Sequence, residues 1–163
     1  MQPDDAHWMH RAIQLARRGE AKSGANPIGC VIVRDGLVVA EAYNEVDMRC
    51  DATAHAEIMA IRRAGSRLRN HELRGAALYS TLEPCAMCTA ASIWAKISRI
   101  VFGAGRGDVH SMYFEERHLS TLDFIRDAYR DDLTLHGGVL AAKCAQLYVP
   151  PHAAIPPEEQ FNR

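Results

Sequence analysis

Two short segments most constrain how this 163-residue chain can fold. The first reads His55-Ala-Glu57, and the second, further along the chain, reads Pro84-Cys-Ala-Met-Cys88. Each stands at the start of a stretch whose apolar residues recur every three or four positions, which indicates a helix. The two cysteines are three positions apart, so both thiols project to the same side of their helix. A fold that brings the two helix starts together therefore gathers one imidazole and two thiols.

One imidazole and two thiolates form a metal site with three protein ligands. Structural zinc sites usually close with four protein ligands, whereas a site with three leaves one position for water. Zinc lowers the pKa of bound water from about 15.7 to about 7, which makes hydroxide available at neutral pH. Attack of hydroxide on an amidine-type ring carbon also needs a proton shuttle. Glu57, two residues from His55, lies near such a metal without being an obvious fourth ligand.

Helix and strand signals alternate along the chain and predict one α/β domain. The first helix is predicted over residues 5–18 and ends at Gly19. Asp35-Gly36 predicts the turn of a β-hairpin between the strands 30–34 and 37–42. The remaining predicted elements are helices at 55–68, 85–96, 121–129 and 139–148 and strands at 76–81, 99–102 and 133–135. This order predicts a mixed sheet with the hairpin at one side and helices on both faces.

The two motifs, in this order within an α/β pattern, resemble the zinc-dependent cytidine deaminase-like superfamily. The resemblance extends over about residues 5–149. It implies a three-layer fold with a five-stranded mixed sheet between helices, and it implies a homodimer. It also implies Zn²⁺ on His55, Cys85 and Cys88, with Glu57 as the catalytic general acid and base.

The composition is that of an ordinary globular protein and excludes several other classes. The chain has 19 Lys+Arg and 20 Asp+Glu, a formal net charge of −1, which excludes nucleic-acid binding by bulk basicity. No apolar run approaches the roughly 18 residues that a membrane helix needs. Residues 1–5 show no secretion signal, and five cysteines, an odd count, argue against a disulfide framework. We expect a cytoplasmic protein with one deaminase domain over residues 1–149 and a proline-rich tail over 150–163.

Different segments of the chain resemble two different branches of the superfamily. The segments Asp51–Ala60 and Thr81–Cys88 resemble bacterial tRNA adenosine deaminases closely. Asn26-Pro-Ile-Gly29 and Ile93-Trp-Ala-Lys96 resemble guanine deaminases of the same superfamily. The segment Met112–Tyr129 fits neither branch well.

Charge near the expected pocket favours a small substrate. Residues 106–132 carry four arginines and seven acids, a net charge of −3, and an acidic frame disfavours a phosphate backbone. We therefore predict hydrolytic deamination of a purine nucleobase or related aminated heterocycle, guanine first, by zinc-bound hydroxide with release of ammonia. The expected partner is a small nucleobase or nucleoside. Deamination of the wobble adenosine in tRNA is the alternative, and a basic cluster keeps RNA binding open: Arg62, Arg63, Arg67, Arg69 and Arg74.

Four residues are the candidates for substrate binding. Asn44 resembles a purine-reading side chain, since an amide can both donate and accept at a ring edge. Asp108 can accept from guanine N1–H and its exocyclic amine, and the resemblance places Trp94 beside the pocket. Ala56, inside the first motif, completes the set. The alternatives are a turn for Asn44, the core for Trp94 and a loop role for Asp108.

A third hypothesis is a catalytically silent zinc module that stabilises a fold or a partner. The presence of Glu57 and the missing fourth protein ligand argue against it.

Overall fold

A computed structural model shows a five-stranded sheet between two layers of helices. It describes residue 2 and residues 4–23, 26–114, 120–128 and 131–160. The helices are α1 (Asp5–Ser23), α2 (Val46–Arg49), α3 (Ala56–Leu68), α4 (Ala86–Trp94), α5 (Thr121–Asp127) and α6 (Ala141–Ala145). The strands are β1 (Gly29–Arg34), β2 (Leu37–Tyr43), β3 (Ala77–Leu82), β4 (Arg99–Ala104) and β5 (Thr134–His136). Two 3₁₀ helices lie at Ser111–Tyr113 and Pro157–Glu159.

The order of the strands in the sheet is β2-β1-β3-β4-β5. Strand β1 pairs antiparallel with β2 and β3, whereas β3, β4 and β5 are parallel to one another. The predicted five-stranded mixed sheet is therefore confirmed. Strands β2, β3 and β4 run in the same direction, so their carboxyl ends meet at one edge of the sheet. Helix α3 begins beyond the end of β2 and α4 begins beyond the end of β3, which places both helix starts at that edge.

Alternating side chains of the strands divide the core into two layers. In β1, Cys30 and Ile32 pack with the residues of α3, while Val31 and Val33 pack with those of α1. All four side chains are buried, as expected for a strand covered on both faces. The predicted three-layer arrangement is confirmed.

The hairpin between β1 and β2 matches its sequence signal. Asp35 and Gly36 both have positive φ, 53° and 71°, which is the geometry of a type I′ turn. The right-handed twist of the two strands favours this turn, and glycine adopts it without a steric penalty.

Gly19 does not end the first helix, contrary to the sequence prediction. Helix α1 continues to Ser23, and a Cβ at Gly19 would lie 2.7 Å from the ring of Tyr43. The glycine is needed for the close approach of α1 to β2 and not as a helix stop. The last predicted helix is also shorter than expected: Leu140 has a left-handed backbone, so α6 begins only at Ala141.

Several predicted segments fall partly outside the described residues. These are residues 115–119 and 129 of the segment Met112–Tyr129, which fits neither branch, and the end of the tail at 161–163. Within the described part of the chain, no helix is long and apolar enough to cross a membrane.

Candidate metal centre and active site

The two motif segments occupy equivalent positions at the starts of α3 and α4. His55 and Cys85 are the N-cap residues, with extended backbones at φ −62°, ψ 153° and φ −68°, ψ 172°. Neither side chain caps its own helix by a hydrogen bond. Asp51 and Thr53, in the turn before α3, bond to each other: the backbone N–H and the hydroxyl of Thr53 both donate to Oδ1 of Asp51. Because both helix starts lie at one edge of the sheet, the imidazole and the thiol meet there.

The ligand atoms lie at the spacing that a tetrahedral metal requires. The Sγ atoms of Cys85 and Cys88 are each 3.6 Å from Nδ1 of His55, and the three ligand atoms all lie within 4.8 Å of one another. A tetrahedral zinc ion with its usual Zn–S and Zn–N bond lengths needs these atoms about 3.5 Å apart. The three predicted ligands therefore fit zinc in both chemistry and spacing.

Their surroundings shift the pKa values of the two thiols in opposite directions. A hydrogen bond from Cys88, together with His55, lowers the pKa of Cys85 to about 4. The same bond to Cys85, with burial and the neighbouring Glu57, raises the pKa of the Cys88 thiol well above its usual value. A cation at this position would stabilise both sulfur atoms as thiolates.

Glu57 lies beside His55, Cys85 and Cys88, and a hydrogen bond from strand β3 holds its carboxylate. The carboxylate is 3% exposed, and burial raises its pKa. Ser80 in β3 donates a hydrogen bond of 2.8 Å to Oε1, while Oε2 lies 3.5 Å from Sγ of Cys88. One oxygen is therefore fixed to the sheet and the other is directed towards the ligand cluster. A raised carboxyl pKa suits a group that both accepts and releases protons near neutral pH.

Ser80 is the residue at this site that sequence reasoning missed. The available signal was the alternation of β3, in which Ser80 has the same orientation as the core residue Leu78. A hydroxyl at such an inward position needs a partner. The neighbouring Thr81 points to the other layer, where its Oγ1 lies 2.7 Å from the hydroxyl of Tyr148.

The candidate substrate residues Asn44 and Ala56 both lie near the start of α3: Glu45, which follows Asn44, bonds to Ala54 through the backbone. Asn44 follows β2 and is 4% exposed, and its Oδ1 accepts a hydrogen bond of 3.3 Å from the backbone of Val46. This contact agrees with the alternative prediction for Asn44, a structural role in a turn. Ala56 is fully buried as the first residue of α3.

The other two candidates, Asp108 and Trp94, lie at the surface. Asp108 is exposed, and its Oδ2 accepts a hydrogen bond of 2.8 Å from the backbone of Gly105, which closes its own loop. Trp94 is 80% exposed at the end of α4. It lines a cleft of about 280 Å³ with Phe124 and Ala128, and neither Glu57 nor a metal ligand lines that cleft.

A family model and curated relatives match this chain over much of its length. Residues 2–104 match the model described as the cytidine and deoxycytidylate deaminase zinc-binding region. A tRNA-specific adenosine deaminase of Buchnera aphidicola is 34% identical over 143 residues, which cover 88% of this chain and 90% of the relative. A guanine deaminase of Bacillus subtilis is 38% identical over 109 residues, which cover 67% of this chain and 70% of the relative.

Solved structures of a guanine deaminase and of a tRNA:A34 deaminase share the fold of this chain. A guanine deaminase from Nitrosomonas europaea superimposes with a TM-score of 0.78 at 25% identity, covering 90% of this chain and 82% of that one. A tRNA:A34 deaminase, studied for A-to-I editing at the wobble position of transfer RNA, superimposes with a TM-score of 0.70 at 33% identity. That match covers 86% of this chain and 98% of the tRNA deaminase.

Proposed function

This chain belongs to the cytidine and deoxycytidylate deaminase zinc-binding family, and we propose that it converts adenosine to inosine in a transfer RNA. Hydrolytic deamination is the chemistry of the family. The observation that supports the RNA substrate is the extent of similarity: the tRNA-specific relative covers 88% of this chain, against 67% for the guanine deaminase. The sequence-based preference for guanine therefore gives way to its alternative.

The reaction adds water to the ring carbon that carries the amine and releases ammonia. His55, Cys85 and Cys88 would hold the zinc ion, which would act as a Lewis acid and make hydroxide available near neutral pH. Glu57 accepts a proton from the attacking water at Oε2 and delivers it to ring N1. It then takes the second proton of the same water, now part of the hydroxyl group on the ring carbon, and passes it to the departing amine. Adenosine and water thus yield inosine and ammonia, and Ser80 keeps Oε1 in place throughout.

Guanine is the second candidate substrate. The observation in its favour is that the N. europaea guanine deaminase superimposes with the higher TM-score, 0.78 against 0.70. Asn44 and Asp108 are the side chains proposed to bind its ring, whereas the described lining of the cleft beside Trp94 includes neither Glu57 nor a proposed metal ligand.

The test offers zinc-loaded protein an anticodon stem-loop with adenosine at the wobble position, free adenosine and free guanine. We expect inosine in the stem-loop, detected by mass spectrometry of the digested RNA, and no ammonia from guanine. The Glu57→Gln protein, with its zinc content verified, is the control for contaminating deaminases. Ammonia from guanine without inosine would assign the second candidate, and ammonia from none of the substrates would overturn both.

A homodimer is also part of this proposal. Trp94 on α4 and Leu122 on α5 are large apolar side chains left 80% and 42% exposed. Their helices flank the cleft lined by Phe124, so a second chain would cover apolar surface there.

A further inference from the structure

The structure separates the arginines of the basic cluster into two groups. The cluster consists of Arg62, Arg63, Arg67, Arg69 and Arg74. Arg63 donates a hydrogen bond of 2.8 Å to the carbonyl oxygen of Glu41. Arg67 donates to the carbonyl oxygens of Val38 and Val39 at 3.2 and 3.1 Å. These two guanidinium groups fasten α3 to β2, so they serve the fold.

Arg74 is also engaged within the protein. Its Nε lies 2.8 Å from Oε2 of Glu72, and Asp132 is a second acidic neighbour. Among the five arginines, this leaves Arg62 and Arg69 as the two that line a groove at the C-terminal end of α3.

The groove, which we call the α3 groove, is rich in hydrogen-bond donors. It has a volume of about 440 Å³, and its described lining consists of Ile61, Arg62, Gly65, Ser66, Arg69, Asn70 and His71. Arg62, Ser66 and Arg69 follow the spacing i, i+4, i+7, which places them along one face of the helix. No carboxylate belongs to that described lining. Two acids stand beside this lining: Asp51, whose Oδ2 lies 3.5 Å from Arg62, and Glu72, which follows His71 in the chain.

We propose that the α3 groove binds the phosphodiester backbone of the RNA substrate, an inference that rests on the proposed function. Guanidinium groups match phosphate oxygens with paired donors, and a hydroxyl and an imidazole add further donors. Both arginines are exposed, so a phosphate can reach them without unfolding the helix.

The position of the groove favours a polynucleotide over a small ligand of the same active site. His55 is the N-cap of α3, so the helical lining of the groove, from Ile61 to Arg69, extends from roughly 9 to 21 Å beyond His55 along the helix axis. A free base at the metal centre cannot span that distance, whereas an RNA strand can. The net charge of −1 means that such binding depends on a local patch and not on overall basicity.

Arg69 offers the cleaner test of the two arginines. Arg62 also contacts Asp51 and Thr53, in the turn before His55, so its removal can disturb the metal centre. Arg69 ends α3 with a left-handed backbone at φ 50°, ψ 38°. Asparagine tolerates this conformation, so Arg69→Asn removes the charge and keeps the turn.

The experiment measures binding of a fluorescent anticodon stem-loop to zinc-loaded protein over a series of KCl concentrations. For Arg69→Asn we expect weaker binding at low salt and a slope of log K against log[KCl] that is shallower by about 0.7 to 0.9. Arg69→Lys should restore most of the slope. Arg18→Asn, which removes an exposed arginine from α1, is the matched control and should leave the slope unchanged.

Each result separates the groove from the catalytic proposal. An unchanged slope in Arg69→Asn, an equal loss in the Arg18→Asn control, or an absence of RNA binding by the unaltered protein overturns the groove. RNA binding that depends on Arg69, without inosine formation, supports the groove and overturns the proposed function. Inosine formation by Arg69→Asn with an unchanged KM supports the proposed function and overturns the groove.

Discussion

The Oγ atom of Ser80 lies 2.8 Å from Oε1 of Glu57, and both side chains are buried. The bond connects α3, which carries the acid, to β3 at the centre of the sheet. Because β3 also leads into the helix of Cys85 and Cys88, one strand positions the proposed proton shuttle and two of the proposed metal ligands together. A displacement of β3 would therefore move the ligands and the shuttle as a unit.

Loss of the Ser80 hydroxyl should slow catalysis without removing the metal. In Ser80→Ala, Glu57 loses the donor that holds Oε1, so its carboxylate samples orientations that cannot relay protons. We expect kcat to fall by about tenfold, equivalent to roughly 1.4 kcal/mol of barrier, with little change in KM. Steady-state kinetics and zinc content measure the two effects. Ser80→Thr keeps the hydroxyl and should recover most of kcat, whereas a normal kcat in Ser80→Ala would contradict this role.

Removal of the Glu57 carboxylate should have a larger effect on the same reaction. Glu57→Gln keeps the size of the side chain but cannot accept a proton, so we expect kcat to fall by about 10² to 10⁴. Zinc content should stay at one ion per chain, since Glu57 does not belong to the group of ligand atoms. Retained activity would show that another group moves the proton.

Loss of a metal ligand should reduce stability as well as activity. Cys88→Ala removes a buried ligand, and since metal binding is coupled to folding at such sites, we expect zinc content and the melting temperature to fall together. Cys50→Ala is the matched control, because Cys50 is exposed and outside the ligand group. Equal melting temperatures for the two variants would mean that the metal does not stabilise the fold. Chelation of the unaltered protein should reproduce the Cys88→Ala result.

The buried ion pair of Asp5 and Arg99 should control stability in acid. Burial alone would raise the pKa of Asp5, but hydrogen bonds from Arg99, the Gln2 backbone and Tyr79 outweigh it and lower the pKa to about 2. Since the ordinary value is 3.8, the pair contributes about 2 kcal/mol, fully present above pH 4 and lost as the pH falls towards 2.

The measurement is the free energy of unfolding of Asp5→Asn and of the unaltered protein as a function of pH. At pH 7 we expect the variant to be less stable by about 2 kcal/mol or more, since Arg99 loses its partner charge. The difference between the two proteins should narrow from pH 4 to pH 2. Using the difference cancels the loss of zinc in acid, which affects both. A constant difference over this range would show that Asp5 titrates normally.

The proposed homodimer can be tested at the exposed tryptophan. Trp94→Lys places a charge on the apolar surface of α4, so we expect the dimer to dissociate in sedimentation velocity experiments. Leu37→Lys changes an exposed leucine at the hairpin, 71% exposed, and should leave the dimer intact. Dissociation in both variants, or in neither, would contradict an interface at α4 and α5.

Local signals in the sequence were sufficient for the elements that carry the site. The His55-Ala-Glu57 and Cys85-to-Cys88 spacings depend on helix geometry within a few residues, and the Asp35-Gly36 turn depends on two backbone conformations. The start of α3 and the whole of β2 were predicted within one residue of their positions. In each of these cases the determining interactions lie within one helix turn or one hairpin.

Close contacts between distant segments explain what the sequence did not reveal. The sequence alone predicts that a helix ends at Gly19, whereas in the structure the ring of Tyr43 packs against this glycine within the helix. Helix α6 begins later than predicted because Leu140, after β5, has a left-handed backbone. The guanine preference rested on the segments 26–29 and 93–96 and on charges in residues 106–132, several of which lie outside the described residues.

The sequence by itself determined which residues can bind a metal and move a proton, because imidazole, thiolate and carboxylate chemistry belongs to the residue types and their spacing. Only the tertiary structure decided that Ser80 holds Glu57, and that Arg63 and Arg67 bind strand carbonyls while Arg69 lines a groove. These roles depend on which side chains the sheet and α3 bring within hydrogen-bonding distance, and that distance is set by packing between segments far apart in the chain.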